Sequence, residues 1–307
     1  MLTAGTGTRL RPLTLVRAKP AIPVAGEPLV RRIVRWLAAN GVTDVVLNLH
    51  HLPATLTAVM GDGADLGVRA RYSWEQPLLL GTAGGPRQAL PLVGSETFLI
   101  VNGDTLTDVD LDALWAAHGS SAALVTIAVT PNRQPRRYGG LVMDRHARVT
   151  GVVPRGREAE GSFHVVGIQA VHADAFNWLP GGTAVNSIGG AYDRLIAERP
   201  GSVTGFVSDA AFWDIGTVSD YVTTSRALSG SEPSGASKTE PVRHISVDPT
   251  ARLSDTILWD NIEIGRDCSL HECIVTDRVT LRAGAAYRRA ILIQTPEGVA
   301  ATSLDQA

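Results

Sequence analysis

Short apolar and β-branched runs alternate with segments of helical period along the first part of the chain. "VTDVVLNLHH" (42–51), "VRARYSWE" (68–75), "TFLIVNGD" (97–104) and "ALVTIAVTP" (123–131) predict strands, and "PLVRRIVRWLAANG" (28–41) and "DVDLDALWAAHG" (108–119) predict helices. In the first helix Val30, Ile33, Val34 and Leu37 fall on one face, with Pro28 at its start and Gly41 past its end. Strands alternating with helices predict an α/β fold with a mostly parallel sheet and right-handed crossovers. Such sheets bind ligands beyond the carboxyl ends of their strands.

From 138 to 228 the pattern loosens. "YGGLVMDRHARVTGVV" reads as a hairpin-like insertion, "FHVVGIQAVH" as a strand and "NSIGGAYDRLIAERPG" as a helix. Residues 229–241, "SGSEPSGASKTEP", read as a flexible linker. Beyond them Val247, Leu253, Ile264, Leu270, Val279 and Leu281 recur at multiples of about five to seven residues, a degenerate hexapeptide pattern that predicts a short left-handed β-helix over 242–293, followed by a tail, 294–307. Cys268, His271 and Cys273 cluster there, but a zinc site needs a fourth ligand; they are read as small residues filling coil positions.

Composition narrows the classes. The chain has 307 residues, 44% apolar and 19% charged, with a net charge of −2. That balance offers no basic field for nucleic acid and no polybasic membrane anchor. No apolar run reaches the length of a membrane span, and no signal peptide is visible, so a cytoplasmic protein is expected. Two cysteines give no disulfide framework. Only two of 28 basic residues are lysines, Lys19 and Lys238; Lys19 lies in the opening motif, where a compact point charge suits phosphate.

That motif, "AGTGTRLRPLTLVRAKP", is neither a dinucleotide fingerprint nor a Walker A loop: Leu10 stands where a third glycine would be needed, and no Gly-Lys-Ser/Thr follows. Its glycines admit backbone amides to phosphate, and Arg9 and Lys19 can neutralise a triphosphate. "NGD" places Asp104 at the end of an apolar strand, "FWDIGT" adds Asp214, and "EQPLLLGTAGG" supplies a further glycine loop with Thr82. Two carboxylates, a lysine, an arginine and amide-rich loops suit Mg²⁺-assisted phosphoryl chemistry.

Together "AGTGTRLRPLT…AKP", "LGTAGG", "NGD" and "WDIGT", in this order and spacing, resemble the sugar-1-phosphate nucleotidyltransferases over residues 1–228. "LGTAGG" is similar to mannose-1-phosphate guanylyltransferase-like members, whereas "GGPRQALPLVG" and "HVVGIQ" also resemble N-acetylmuramate 1-phosphate uridylyltransferases. The resemblance implies a Rossmann-like nucleotidyltransferase domain, Mg²⁺ as cofactor, and an NTP (GTP favoured) and a sugar 1-phosphate as partners. It further implies that Asp104 and Asp214 hold the metal and that Arg9 and Lys19 hold the phosphates. Ala4, Gly5, Gly7, Thr8, Gly81 and Thr82 would line the nucleotide, and Gly140, Arg155 and Gly167 the sugar.

The departures fall in the sugar pocket: "VTGVVPRG" stands where many members carry Glu-Lys-Pro, so Arg155 substitutes for the lysine, and Val165 and Gln169 stand in "VVGIQ". Base choice stays open between guanylyl transfer and uridylyl or thymidylyl transfer on another sugar, with a catalytically silent nucleotide-sugar-binding regulator as a further alternative. Homo-oligomerisation through the β-helix is a working expectation. The family places a full apolar strand before the glycine loop, while Met1, Leu2 and Thr3 alone precede it here; a truncated start is expected, with unpaired backbone groups on the strand's neighbours.

Overall fold

The structure, a computed structural model, describes residues 1–229 and 244–306. In chain order it contains β1 (Pro23–Val24), β2 (Glu27–Pro28), α1 (Leu29–Ala39), β3 (Asp44–Leu49), α2 (Pro53–Met60), β4 (Arg69–Trp74) and α3 (Gly81–Val93). There follow β5 (Thr97–Val101), β6 (Thr105–Thr107), α4 (Leu111–Gly119), β7 (Val125–Pro131), β8 (Gly140–Met143), β9 (Val149–Val153) and β10 (Phe163–His172). Next come α5 (Tyr192–Glu198), β11 (Val203–Val207), β12 (Phe212–Asp214) and α6 (Val218–Ser229), and then ten short strands between Ile245 and Ser303. The linker expected at 229–241 lies outside the described residues except for Ser229.

Contacts divide the chain into two units. One comprises Met1–Gly5, Ile33–Pro53 and Met60–Asp214; the other comprises Thr6–Arg32, Ala54–Val59 and Ile215–Ala307.

In the first unit β3 and β4 pair in parallel, and so do β7 and β11. The long strand β10 runs antiparallel to both β5 and β7, because the β8–β9 hairpin reverses the chain before it. The result is a mixed sheet. Val125, Ile127, Val129, Ile100, Val171, Phe176 and Tyr192 are buried together on one face of it. Gln169 is also buried in this core, where it accepts a hydrogen bond from the Tyr192 hydroxyl at 2.7 Å. Met1–Thr3 are extended between β3 and β5: the Leu2 amide donates to the Val101 carbonyl at 2.8 Å, and the Asn48 amide to the Met1 carbonyl at 3.4 Å. Beside them a cavity of about 470 Å³ is lined by Leu37, Val45, Ala89, Phe98 and Val101, among others.

In the second unit β1 and β2 form a hairpin whose turn residues, Ala25 and Gly26, both have positive φ (49° and 89°). The first nine C-terminal strands stack in parallel on three faces, and the last, Gly298–Ser303, pairs antiparallel with Ala290–Thr295. Ile245 pairs with Ile262, Leu253 with Leu270, and Ile274 with Ile291. Equivalent positions on successive coils are 17 residues apart, as in the Ser254–His271 pair. The spacing of five to seven read from the sequence is therefore one side of a three-sided coil. Ile262, Ile264, Leu270, Ile274, Val279 and Leu281 fill the interior. Cys268 and Cys273 are free and buried there, and burial raises the Cys273 thiol pKa. Among the described residues no cluster of three His, Cys, Asp or Glu side chains suits a metal.

Candidate active site

Two motifs meet at the end of β5 in the first unit. After Val101 the chain turns through Asn102–Gly103 to Asp104, and β6 then pairs antiparallel with β12 so that Thr105 faces Asp214. The pairing places the two acids, Asp104 and Asp214, at neighbouring strand ends, both half-buried. The Thr105 hydroxyl donates to Asp104 Oδ1 at 3.3 Å. Gly167 closes on the same corner, its carbonyl accepting from the Asn102 amide at 2.8 Å. It has φ +86°, and a Cβ here would lie 3.1 Å from Thr105 Oγ1 and 3.3 Å from Asn102 Cβ. The irregularity between Val165 and Gln169 in β10 is what lets this glycine bulge toward the acids. The fold thus brings three of the residues singled out in the sequence, Asp104, Asp214 and Gly167, to one corner.

The other predicted sugar residues sit on the β8–β9 hairpin. Gly140 is buried, and a Cβ on it would overlap the Ser162 hydroxyl at 2.0 Å, so its glycine identity has a packing reason. Arg155 is exposed just beyond β9. Nearby, Tyr138, His164 and Phe212 stack, with ring centroids 4.1 Å (Tyr138–His164) and 5.0 Å (His164–Phe212) apart. These rings and Trp213 line a hollow of about 360 Å³. Phe212 and Asp214 share one face of β12 by strand alternation. Burial, together with the charge of Arg137, lowers the His164 pKa, and a backbone hydrogen bond at Gly139 offsets part of that.

A second constellation, absent from the sequence reading, connects the start of the glycine motif to α3. Asn48, at the end of β3, accepts from the Thr3 and Ala4 amides at 2.5 and 3.1 Å through Oδ1 and donates through Nδ2 to Glu75 Oε1 at 2.6 Å. Glu75 is fully buried, and its other oxygen accepts the Leu80 amide at 2.7 Å. A buried carboxylate without donors would be costly, and here both oxygens have one. "LGTAGG" is not a loop: Gly81 opens α3, whose Ala83 and Gly84 amides donate to the Val185 carbonyl. Gly85 is pressed against the buried pair, so that a Cβ would stand 2.4 Å from Glu75 Oε1. Thr82, predicted near base and ribose, uses its hydroxyl internally, accepting from the Ser187 amide at 2.7 Å. The apolar strand endings "LNLHH" and "YSWE" hide Asn48 and Glu75; an isolated amide and an isolated acid carry no motif.

Gly7, Thr8, Arg9 and Lys19 lie in the second unit. Gly7 has φ +59°, and a Cβ would meet Thr14 Cγ2 at 2.7 Å and Lys19 Cβ at 3.3 Å. The Thr14 hydroxyl donates to the Gly7 carbonyl at 3.0 Å. The loop is therefore folded onto the stem of Lys19, which heads a short turn, Lys19–Ala21. Thr8 and Arg9 are exposed, and Gly5, in the first unit, faces open space.

A mixed α/β unit that brings two acids to adjoining strand ends suits the phosphoryl-transfer class of protein. Residues 1–230 match the family model described as nucleotidyl transferase, and the chain belongs to that family. It is 32% identical over 297 residues to mannose-1-phosphate guanylyltransferase of Mycobacterium tuberculosis, an alignment covering 94% of this chain and 82% of that one. It is 44% identical over 120 residues to N-acetylmuramate alpha-1-phosphate uridylyltransferase of Neisseria meningitidis, covering 39% and 52%. Among solved structures, HddC from Yersinia pseudotuberculosis superposes with a TM-score of 0.63 at 22% identity, covering 74% of this chain and 97% of that one.

Proposed function

We propose that this chain is a cytoplasmic enzyme that transfers GMP from GTP to mannose 1-phosphate, giving GDP-mannose and pyrophosphate. The observation that carries this is the Asp104–Asp214 corner closed by Gly167, found in a chain similar along nearly its whole length to a mannose-1-phosphate guanylyltransferase. Cytoplasmic placement is supported by the lack, among the described residues, of any helix long and apolar enough to cross a membrane.

The sugar-phosphate oxygen attacks the α-phosphorus, the bond from that phosphorus to the bridging oxygen breaks, and pyrophosphate leaves with the electron pair. Two half-buried carboxylates at adjoining strand ends are a hard-oxygen donor set that fits Mg²⁺, which takes few protein ligands and keeps water and phosphate oxygens for the rest. When bound, the metal supplies charge neutralisation at the phosphates. Arg9 and Lys19 hold the phosphates, and the amides of Ala4, Gly5, Gly7 and Thr8 approach the nucleotide. Gly81 and Thr82 stand at the nucleotide end of α3. Gly140, Gly167 and Arg155 receive the sugar phosphate, and Phe212 supplies an apolar wall beside Asp214.

Uridylyl transfer is the second reading, favoured by the similarity to the Neisseria uridylyltransferase. Pyrophosphate release, with each NTP and dTTP set against mannose, glucose, N-acetylglucosamine and N-acetylmuramate 1-phosphates, tests both. Turnover confined to GTP and mannose 1-phosphate is expected. Turnover confined to UTP would replace the first reading, and nucleotide-sugar binding without turnover would make the chain a regulator. The C-terminal coil, read as a left-handed β-helix, would serve a homo-oligomer contact, which sedimentation at micromolar concentration tests.

A further inference from the structure

Arg17 is buried, 8% exposed, although it faces no substrate role in the reaction above. Its Nε donates to Asp277 Oδ2 at 2.6 Å, and its Nη2 to Asp277 Oδ1 at 2.7 Å and Asp260 Oδ2 at 2.5 Å. Those acids occupy one corner of successive turns of the C-terminal coil, and the Asp260 amide donates to Asp277 Oδ1 at 3.2 Å. The guanidinium lies 5.6 Å from the ring centroid of Trp259, which has no exposed surface. Its remaining nitrogen, Nη1, donates to the Ala21 carbonyl at 3.3 Å, on the turn that Lys19 opens. A second tie holds the start of β1, two residues past that turn: Trp259 Nε1 donates to the Tyr221 hydroxyl, which donates to the Pro23 carbonyl, each at 2.9 Å. All of these residues belong to the same unit.

Lys19 thus sits between two attachments to the coil, and its stem is the surface on which Gly7 folds. A buried ion pair rarely stabilises a fold more than apolar packing of the same volume would, and its retention fits a role in fixing geometry. We infer that Arg17, clamped by Asp260 and Asp277, is a positioning residue that sets Lys19 and the glycine loop for nucleotide, so that the C-terminal coil is a working part of the nucleotide site. The inference rests on reading Lys19 and Gly7 as nucleotide-binding.

A double-mutant cycle between Arg17→Met and Lys19→Met tests it, read as kcat/KM for the NTP in pyrophosphate release and as Kd for the Mg²⁺-bound NTP. Arg17→Met is expected to cost about 10- to 100-fold, mostly in KM and Kd, because small misplacements of a binding group are that expensive. In the Lys19→Met background the same change should cost less than about threefold, since nothing is left to position. Arg17→Lys should recover part of the loss. Asp277→Asn, which leaves Asp260 in place, should fall between and serves if Arg17→Met does not fold. Equal penalties in both backgrounds would reduce Arg17 to a structural residue and overturn the inference. So would a folded Arg17→Met protein with unchanged Kd. If Lys19→Met binds and turns over normally, the inference falls while the proposed reaction stands. If wild type turns over no substrate pair, the reaction falls, and the cycle in Kd still decides Arg17.

Discussion

Asp214 stands directly across an antiparallel bridge from Thr105, the residue that follows Asp104. The bridge converts two acids 110 positions apart in sequence into neighbours on adjoining strands. Asp104→Asn and Asp214→Asn each remove one charge from that corner while keeping the side-chain shape. Each is expected to lower kcat by about 10²- to 10³-fold, the usual cost of deleting one transition-state electrostatic contact. Melting temperatures should stay near that of wild type. Chelation should abolish turnover and Mg²⁺ restore it; an unchanged half-saturating Mg²⁺ concentration in both variants would remove these acids from the metal's role.

Gly85→Ala tests the buried Asn48–Glu75 link. Its new methyl would stand 2.4 Å from Glu75 Oε1 and 2.8 Å from Asn48 Nδ2, where neither partner can yield without breaking a hydrogen bond. A loss of about 1–3 kcal/mol is expected, the range for overpacking a tight interior. At roughly 2–4 °C per kcal/mol for a domain of this size, the thermal midpoint should fall by several degrees. An unchanged midpoint would mean that the link is looser than its distances imply.

The α/β character, the glycine loop, the acids and the repeat in the tail were legible because each has a local signature. Period, turn residues and strand endings suffice for β3, β4, β5, β7 and α1. The helix over Gly81–Val93 was not legible. It carries Pro86, Pro91 and three glycines, a composition that opposes helix on propensity alone. Tertiary partners override that: Glu75 takes the Leu80 amide and Val185 takes two more. The same helix commits the Thr82 hydroxyl, which looks free in sequence, to the Ser187 amide. Arg17 passed unnoticed because its partners lie more than 240 residues away, at spacings no local pattern encodes.

Histidine gives the fold an acid-side dependence. Burial and Arg137 hold the His164 pKa below its ordinary value, and burial does the same for His118. As pH falls through the ordinary histidine range, the unfolded chain takes up these protons while the folded chain resists. The unfolded state then binds more protons, so stability must fall with pH. Denaturation midpoints should decline from about pH 7 to pH 5, near and below the ordinary histidine pKa. His164→Gln should flatten part of that decline, with the remainder following His118. A profile with the same slope in His164→Gln would show that the stacked imidazole between Tyr138 and Phe212 titrates freely.

The cavity beside Met1–Thr3 offers a stabilising change that leaves the acids untouched. Ala89, on α3, is 7% exposed and lines about 470 Å³ of space together with Leu37, Val45 and Val101. An apolar wall beside an open hollow leaves surface in contact with water that a larger side chain can cover. Ala89→Leu adds three carbons to that wall. At about 0.8 kcal/mol per buried CH₂ the gain approaches about 2 kcal/mol, less the rotamer entropy of the new side chain. The thermal midpoint should therefore rise by a few degrees, with kcat/KM unchanged. A fall would mean that α3 cannot admit the side chain without shifting. Because α3 is anchored through Leu80 to Glu75, such a shift should also raise KM for the nucleotide, so the two measurements together separate a filled cavity from a displaced helix.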